Sequence, residues 1–217
     1  MKPKRRTLIA ALTAGAALPL AAPVRAQRRE PDAGIDYRVL DPTQPTESGS
    51  RIEVMEFFWY GCPHCYAFEP PLSAWIRRLP SDVAFRRLPA QFNATWAQHA
   101  KLYYALEALG QVERLHKRCF DTIHLDRRSL VQDADMTEWA VSNGIDRARF
   151  SEALNSAETA TKMSLARQTL INYRIDGVPA MAVNGRYLTS PAIVGSHEGC
   201  LQVLDFLIVE ERKRKRS

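Results

Sequence analysis

The residues with chemistry in them are Cys62-Pro63-His64-Cys65. Two thiols separated by two residues reach one another across a single helical turn, so they can close and reopen a disulfide. The pair stands where an apolar run, Arg51 to Tyr60 (RIEVMEFFWY), gives way after Gly61 to a helical pattern. A helix start leaves backbone N–H groups unpaired and carries the positive end of the dipole, so a thiolate at Cys62 is stabilised there. Pro63 suits a first turn because it needs no donor, and a protonated His64 adds positive charge beside the sulfur. Cys65, one turn further on, is the more shielded of the two. A disulfide whose leaving thiolate is stabilised is easily reduced and makes a strong electron acceptor.

The same spacing admits other readings. It is half of a structural zinc site, but such a site needs four ligands, and Cys119 and Cys200 stand alone. An inert structural bridge is possible in an exported chain, yet a loop with two intervening residues constrains the unfolded chain very little. Two soft thiolates also suit copper in transit, although no Met-rich or His-rich companion segment is present.

The elements that must position the pair follow from periodicity. Ile52 and Val54 alternate, and the run then becomes almost wholly apolar, as in a buried central strand. Tyr66, Phe68, Leu72, Trp75, Ile76 and Leu79 keep helical spacing, with Pro70 and Pro71 expected to kink or restart that helix. Val83, Phe85 and Arg87 alternate in a second strand. Residues 95–172 read as helical throughout, with Val112, Leu115, Cys119 and Ile123 on one stripe and Asp146 as an N-cap. Ala180 to Val183 and Arg186 to Leu188 flank Asn184-Gly185, a strong hairpin signal. Val203, Leu204, Leu207 and Ile208 stripe a final helix from about Ser196 to Glu211. The expected fold class is α/β, with an all-helical domain inserted after the second core strand.

The chain has 217 residues, 46% hydrophobic and 25% charged, which suits one globular body with a real core. Its net charge of +6 is misleading. Residues 1–26 hold five basic side chains and no acidic one, and Arg212 to Arg216 hold five more; the remainder has 20 basic against 24 acidic residues. A body at −4 lacks the phosphate-neutralising patch of a nucleic-acid binder. Residues 1–26 read as an export signal: a basic start, the apolar stretch Leu8 to Ala22, and Val24-Arg25-Ala26 at a cleavage site after Ala26. That stretch is shorter than the roughly 20 residues of a spanning helix, and Arg5-Arg6 also resembles a twin-arginine signal. Export implies a compartment where disulfides persist. Residues 27–50 read as a polar, mobile lead-in touching the body once, through Tyr37 to Leu40, and residues 212–217 as a solvated basic tail.

Gly61 to Cys65, preceded by Glu56-Phe57-Phe58 and followed by Tyr66, together with Gly177-Val178-Pro179-Ala180 and the Asn184-Gly185 hairpin, resembles the DsbA family of periplasmic disulfide oxidases. The resemblance spans most of residues 37–211 in the family's order. It implies a thioredoxin-like fold, divided as 51–94 and 173–211 around the helical insertion 95–172, and the acidic cysteine and oxidising disulfide that typify that family. It implies Cys62 as the attacked and attacking sulfur, Cys65 as the resolving one, and Pro63 and His64 as tuning residues. Val178 and Pro179 match the cis-proline segment that faces the disulfide and binds peptide backbone. Glu56 matches an acidic residue beneath the active site, where it would exchange protons with Cys65; the alternative is a carboxylate pointing to solvent at the strand edge. No cofactor is required. The implied partners are reduced exported proteins and a quinone-linked membrane reoxidant of the DsbB type, with a monomer as the default state. Ala182 departs from the pattern, where a bulkier apolar residue is usual.

The remaining residues carry blander expectations. Cys119 and Cys200 are expected as buried free thiols rather than a bridge. His99, His116 and His124 are expected at surface or half-buried helical positions, and His197 at a helix start, all without a role. Trp59, Tyr60 and Tyr66 surround the cysteines as candidate groove residues, with at least one of them in the core.

Overall fold

The computed structural model describes residues 29–216. The apolar run forms β2 (Ile52–Phe58), every residue of which is buried. It follows the short edge strand β1 (Arg38–Val39) and leads into α1 (Pro63–Ile76) and then β3 (Val83–Pro89). Five helices come next: α2 (Ala94–Ala108), α3 (Val112–His124), α4 (Asp133–Ser142), α5 (Arg147–Leu154) and α6 (Ala157–Asn172). The chain returns to the sheet through β4 (Ala180–Val183) and β5 (Tyr187–Thr189), then closes with the short α7 (Pro191–Val194) and the long α8 (His197–Arg216).

The sheet order is β1-β5-β4-β2-β3. Only β2 and β3 among these neighbours run parallel; β2 with β4, β4 with β5 and β5 with β1 are antiparallel. β2 is central and needs apolar side chains on both faces, which is why its sequence stops alternating. Ile52 and Val54 pack in one cluster with Phe68, Leu72 and Trp75 of α1 and Val203, Leu204 and Leu207 of α8. Met55 and Phe57 join the other cluster, with Leu102, Phe120, Trp139 and Phe150 from the inserted helices. The insert is therefore fused to the sheet by a shared core. Ala182 is buried within it, opposite Met55 and Leu188.

Several details differ from the sequence reading. α1 runs unbroken through Pro70 and Pro71; the missing N–H groups leave the carbonyls of Tyr66 and Ala67 without their helical donors. The lead-in is tied down at several points rather than one. β1 pairs with β5, Leu40 N–H donates to Arg186 O at 2.6 Å, Gln44 N–H to Gly185 O at 2.7 Å, and the Thr189 hydroxyl to Asp36 O at 2.7 Å. An edge strand offers unpaired backbone groups, and this segment, poor in side-chain signal, meets that need. The basic tail is the last turn of α8, where Arg212 pairs with Asp82, Lys213 with Glu210 and Arg214 with Glu211. Cations at a helix C-terminus also complement its dipole. The export signal lies outside the described residues.

Candidate active site

β2 delivers the chain to the site and Gly61 turns it. A Cβ at Gly61 would lie 2.3 Å from the Trp59 ring, so the indole packs on backbone where a side chain would otherwise stand. The Cys62 N–H donates to Trp59 O at 2.9 Å, which closes the turn. Cys62 is itself the N-cap of α1, in an extended conformation, and its sulfur accepts from the Cys65 N–H at 3.4 Å. Sulfur thus occupies the place usually taken by a Ser or Asp oxygen. Pro63 opens the helix, and no acidic residue lies in the first turn to oppose a negative charge.

The two thiols have opposite electrostatics. Cys62 is lowered to about 6, first by the hydrogen bond from the Cys65 thiol, then, against the cost of burial, by the backbone N–H groups of Cys65 and His64 and the His64 charge. Cys65 is pushed well above the ordinary thiol range, first by burial and then by the Cys62 hydrogen bond and charge and by Glu56. Both cysteines are reduced. The Cys62 thiol points at the Val178 carbonyl oxygen, 3.5 Å away, and the Val178–Pro179 peptide is cis. Val178 and Pro179 thus arrive from a distant part of the sequence to face the sulfur. Beside them opens a groove of about 890 Å³, lined by His64, Val178, Pro179, Ile193, His197 and Arg38.

Glu56 is 1% exposed. Its partner is Arg87, directly across the β2–β3 register, whose Nε donates to Glu56 Oε2 at 3.0 Å while the other end of the guanidinium bonds Glu69 at 3.0 and 3.2 Å. Burial pushes Glu56 up to about 8 despite Arg87, and the nearby Glu69 charge adds to the effect. Burial also works against Glu69, but contacts with His116, Arg87 and the Ser73 hydroxyl hold it low. His116 is lowered to about 4 by burial and by Arg87, so the ring is neutral near pH 7. Glu56, Glu69 and His116 bring ligand atoms within 4.8 Å of one another, as a metal site would. The Arg87 guanidinium already serves both carboxylates, so the positive charge such a site calls for is supplied by the protein.

Sequence reasoning named Arg87 only as a strand residue and His116 only as a helical residue without a role, and did not name Glu69. For Arg87 and Glu69 the one legible sign was charge inside an apolar pattern, and His116 had none; what joins the three is register and helix packing. Contrary to expectation, His99 and His116 are buried, at 3% and 4% exposure, because α2 and α3 turn these faces into the shared core. His124 is half-buried, as expected. Tyr60 is wholly buried, Trp59 stacks on Trp96 at 4.2 Å, and Tyr66 stacks on His124 at 4.7 Å. Cys119 and Cys200 are free, fully buried and in different core clusters, and burial raises both thiols, Cys200 to about 12.

Comparison with known proteins agrees with this geometry. Residues 53–198 match the model of the DSBA-like thioredoxin domain. The thiol:disulfide interchange protein DsbA of Azotobacter vinelandii is 40% identical over 211 residues, covering 96% of this chain and 98% of the relative. That of Bordetella pertussis is 40% identical over 207 residues, covering 95% and 96%. The crystal structure of Pseudomonas aeruginosa DsbA superposes with a TM-score of 0.83 at 36% identity, over 86% of this chain and 97% of that one. A thioredoxin-like fold carrying a helical insert between β3 and β4 is thus shared over most of the chain, the Cys62–Cys65 pair at the start of α1 is consistent with it, and the chain belongs to the DsbA family of thiol:disulfide interchange proteins.

Proposed function

We propose that this oxidoreductase works as an oxidase, giving its Cys62–Cys65 disulfide to reduced cysteines of newly exported proteins. The observation that carries the reading is the asymmetry of the pair: an acidic Cys62 at the helix start beside a buried, basic Cys65. A substrate thiolate attacks the Cys62 sulfur; the Cys62–Cys65 bond breaks, and Cys65 leaves as a thiolate that takes a proton from Glu56. Val178 and Pro179 hold the substrate backbone against the sulfur during this step, in the groove beside them. The substrate's second thiolate then attacks the substrate sulfur of the mixed disulfide, and Cys62 leaves as a stabilised thiolate. The substrate is oxidised by two electrons and the enzyme is left reduced, with Pro63 and His64 tuning how favourable that is. A quinone-linked membrane protein of the DsbB type removes the two electrons and restores the disulfide.

Incubation of a Cys65→Ala variant with a reduced, unfolded client tests this. Mixed disulfides through Cys62 are expected to accumulate and to disappear on adding thiol reductant. Tight, stoichiometric Cu(I) uptake by the native protein with no turnover on reduced clients would instead make it a metal carrier. The reading places the protein in the periplasm as a monomer, after removal of residues 1–26. Intact mass of the exported protein should therefore correspond to a start at Gln27; a chain retaining Met1 to Ala26 would overturn that placement.

A further inference from the structure

One helix of the insert touches the active-site segment on both sides of the cysteines. The His124 Nε2, at the end of α3, lies 2.8 Å from the carbonyl oxygen of Tyr60, two residues before Cys62. Since that oxygen only accepts, Nε2 carries the proton. The same imidazole lies flat on the ring of Tyr66, the residue after Cys65, with centroids 4.7 Å apart and an interplanar angle of 4°. Tyr66 is in turn fixed by its N–H to Cys62 O at 3.0 Å and its hydroxyl to Asp121 Oδ1 of α3 at 3.1 Å. The far end of Tyr60 is held as well, its hydroxyl 3.0 Å from His116 Nδ1 of the same helix. His116, Asp121 and His124 thus bracket residues 60–66; Phe120 packs on the Tyr60 and Tyr66 rings at 5.1 and 5.9 Å, and His124 adds to its stack on Tyr66 a hydrogen bond to the Tyr60 backbone.

We propose that His124 is a positioning residue for the redox cysteine: by donating to the Tyr60 carbonyl it fixes the turn through Gly61 and so aligns the Cys62 sulfur with the start of α1. The restraint adds to the Cys62 N–H bond to Trp59 O at a point where Gly61, lacking a Cβ, leaves the backbone between Tyr60 and Cys62 the least restricted by its own side chain. The alignment is sensitive, since the Cys65 N–H meets the sulfur at 3.4 Å and a shift of about half an ångström weakens such a contact. The helical insert therefore participates in setting the reactivity of a cysteine carried by the thioredoxin-like body. This goes beyond the exchange reaction itself, which needs no contribution from α3.

Two variants separate the hydrogen bond from the ring. His124→Phe keeps a ring on Tyr66 and removes the donor; His124→Gln removes the ring and keeps an N–H of similar reach. In reduced protein, the Phe variant is expected to raise the midpoint of the Cys62 thiolate titration by about half a unit, with a roughly threefold weaker oxidising equilibrium against glutathione. The Gln variant is expected to return both toward the native values, which a merely structural loss would not do. An unchanged titration in folded His124→Phe overturns the proposal, as does a Gln variant shifted as far as the Phe variant. If the Phe variant does not fold, the native protein supplies the test: His124 ring resonances that differ between oxidised and reduced forms support the coupling, and identical resonances overturn it.

Discussion

At the scale of single residues, chemistry here depends on which charges the surroundings allow. Cys62 and Cys65 are the same side chain one turn apart, and their opposite shifts follow from position: one caps a helix, and the other is enclosed behind it. Glu56 has the complementary problem of a carboxylate in a central strand, with Oε1 left without a hydrogen-bond partner. Its value, raised from 4.5 to about 8, means that the fold favours the protonated acid. Stability associated with this group is fully present below the unfolded value near 4.5 and is lost as pH rises through about 8. Glu56→Gln should therefore change stability little at pH 4 and raise it progressively up to pH 8, where the gain is on the order of 2 kcal/mol. Thermal melts of the two reduced proteins across this range check it. If Glu56 delivers the proton to Cys65, the variant also loses the pH dependence of exchange near 8.

Among the elements, the hairpin between β4 and β5 does more than return the chain. Asn184 adopts φ 50° and Gly185 φ 65°, the left-handed conformations that Asn-Gly supplies in tight hairpins. The Asn184 side chain donates to Glu211 Oε2 at 2.5 Å, joining the hairpin to α8. A Cβ at Gly185 would stand 1.9 Å from the Gln44 carbonyl oxygen, so the glycine also admits the lead-in at close range. Gly185→Ala is expected to cost about 2 kcal/mol through left-handed strain and displaced backbone. Because the clash falls on Gln44, the variant should show faster proteolysis within residues 29–50 than within the helices. Equal protection of that segment in both proteins would contradict the close approach.

For the whole molecule, the redox state and the stability of the fold are linked. Cys62 is lowered from 9.0 to about 6 in the folded, reduced protein, so its contribution is fully present above 9 and is lost as pH falls through about 6. The oxidised protein has no such thiolate. The reduced form should consequently gain stability relative to the oxidised form as pH rises from 5 to 9, by about 1 kcal/mol at pH 7. Denaturant unfolding of both forms at pH 5, 7 and 9 measures that difference, and a gap that shrinks with rising pH would contradict it. To the extent that this thiolate stabilises the reduced form, the protein favours passing its disulfide on.

The sequence by itself determined the reactive pair, its place at a strand-to-helix junction, the helical insertion and the hairpin. These are local facts, written in spacing and periodicity: Cys62 to Cys65 spans one turn, β2 is continuously apolar, and Asn184-Gly185 supplies its own turn. Tertiary structure decided which distant residues meet. Arg87 faces Glu56 only because β3 pairs in one register with β2, and the lead-in becomes an edge strand only because β5 leaves one side open. His116 and His124 read as ordinary helical histidines until α3 packs beside α1 and brings them to Tyr60. Periodicity tells which face of a helix is buried but not what lies opposite it, and that is settled by long-range packing of the whole chain.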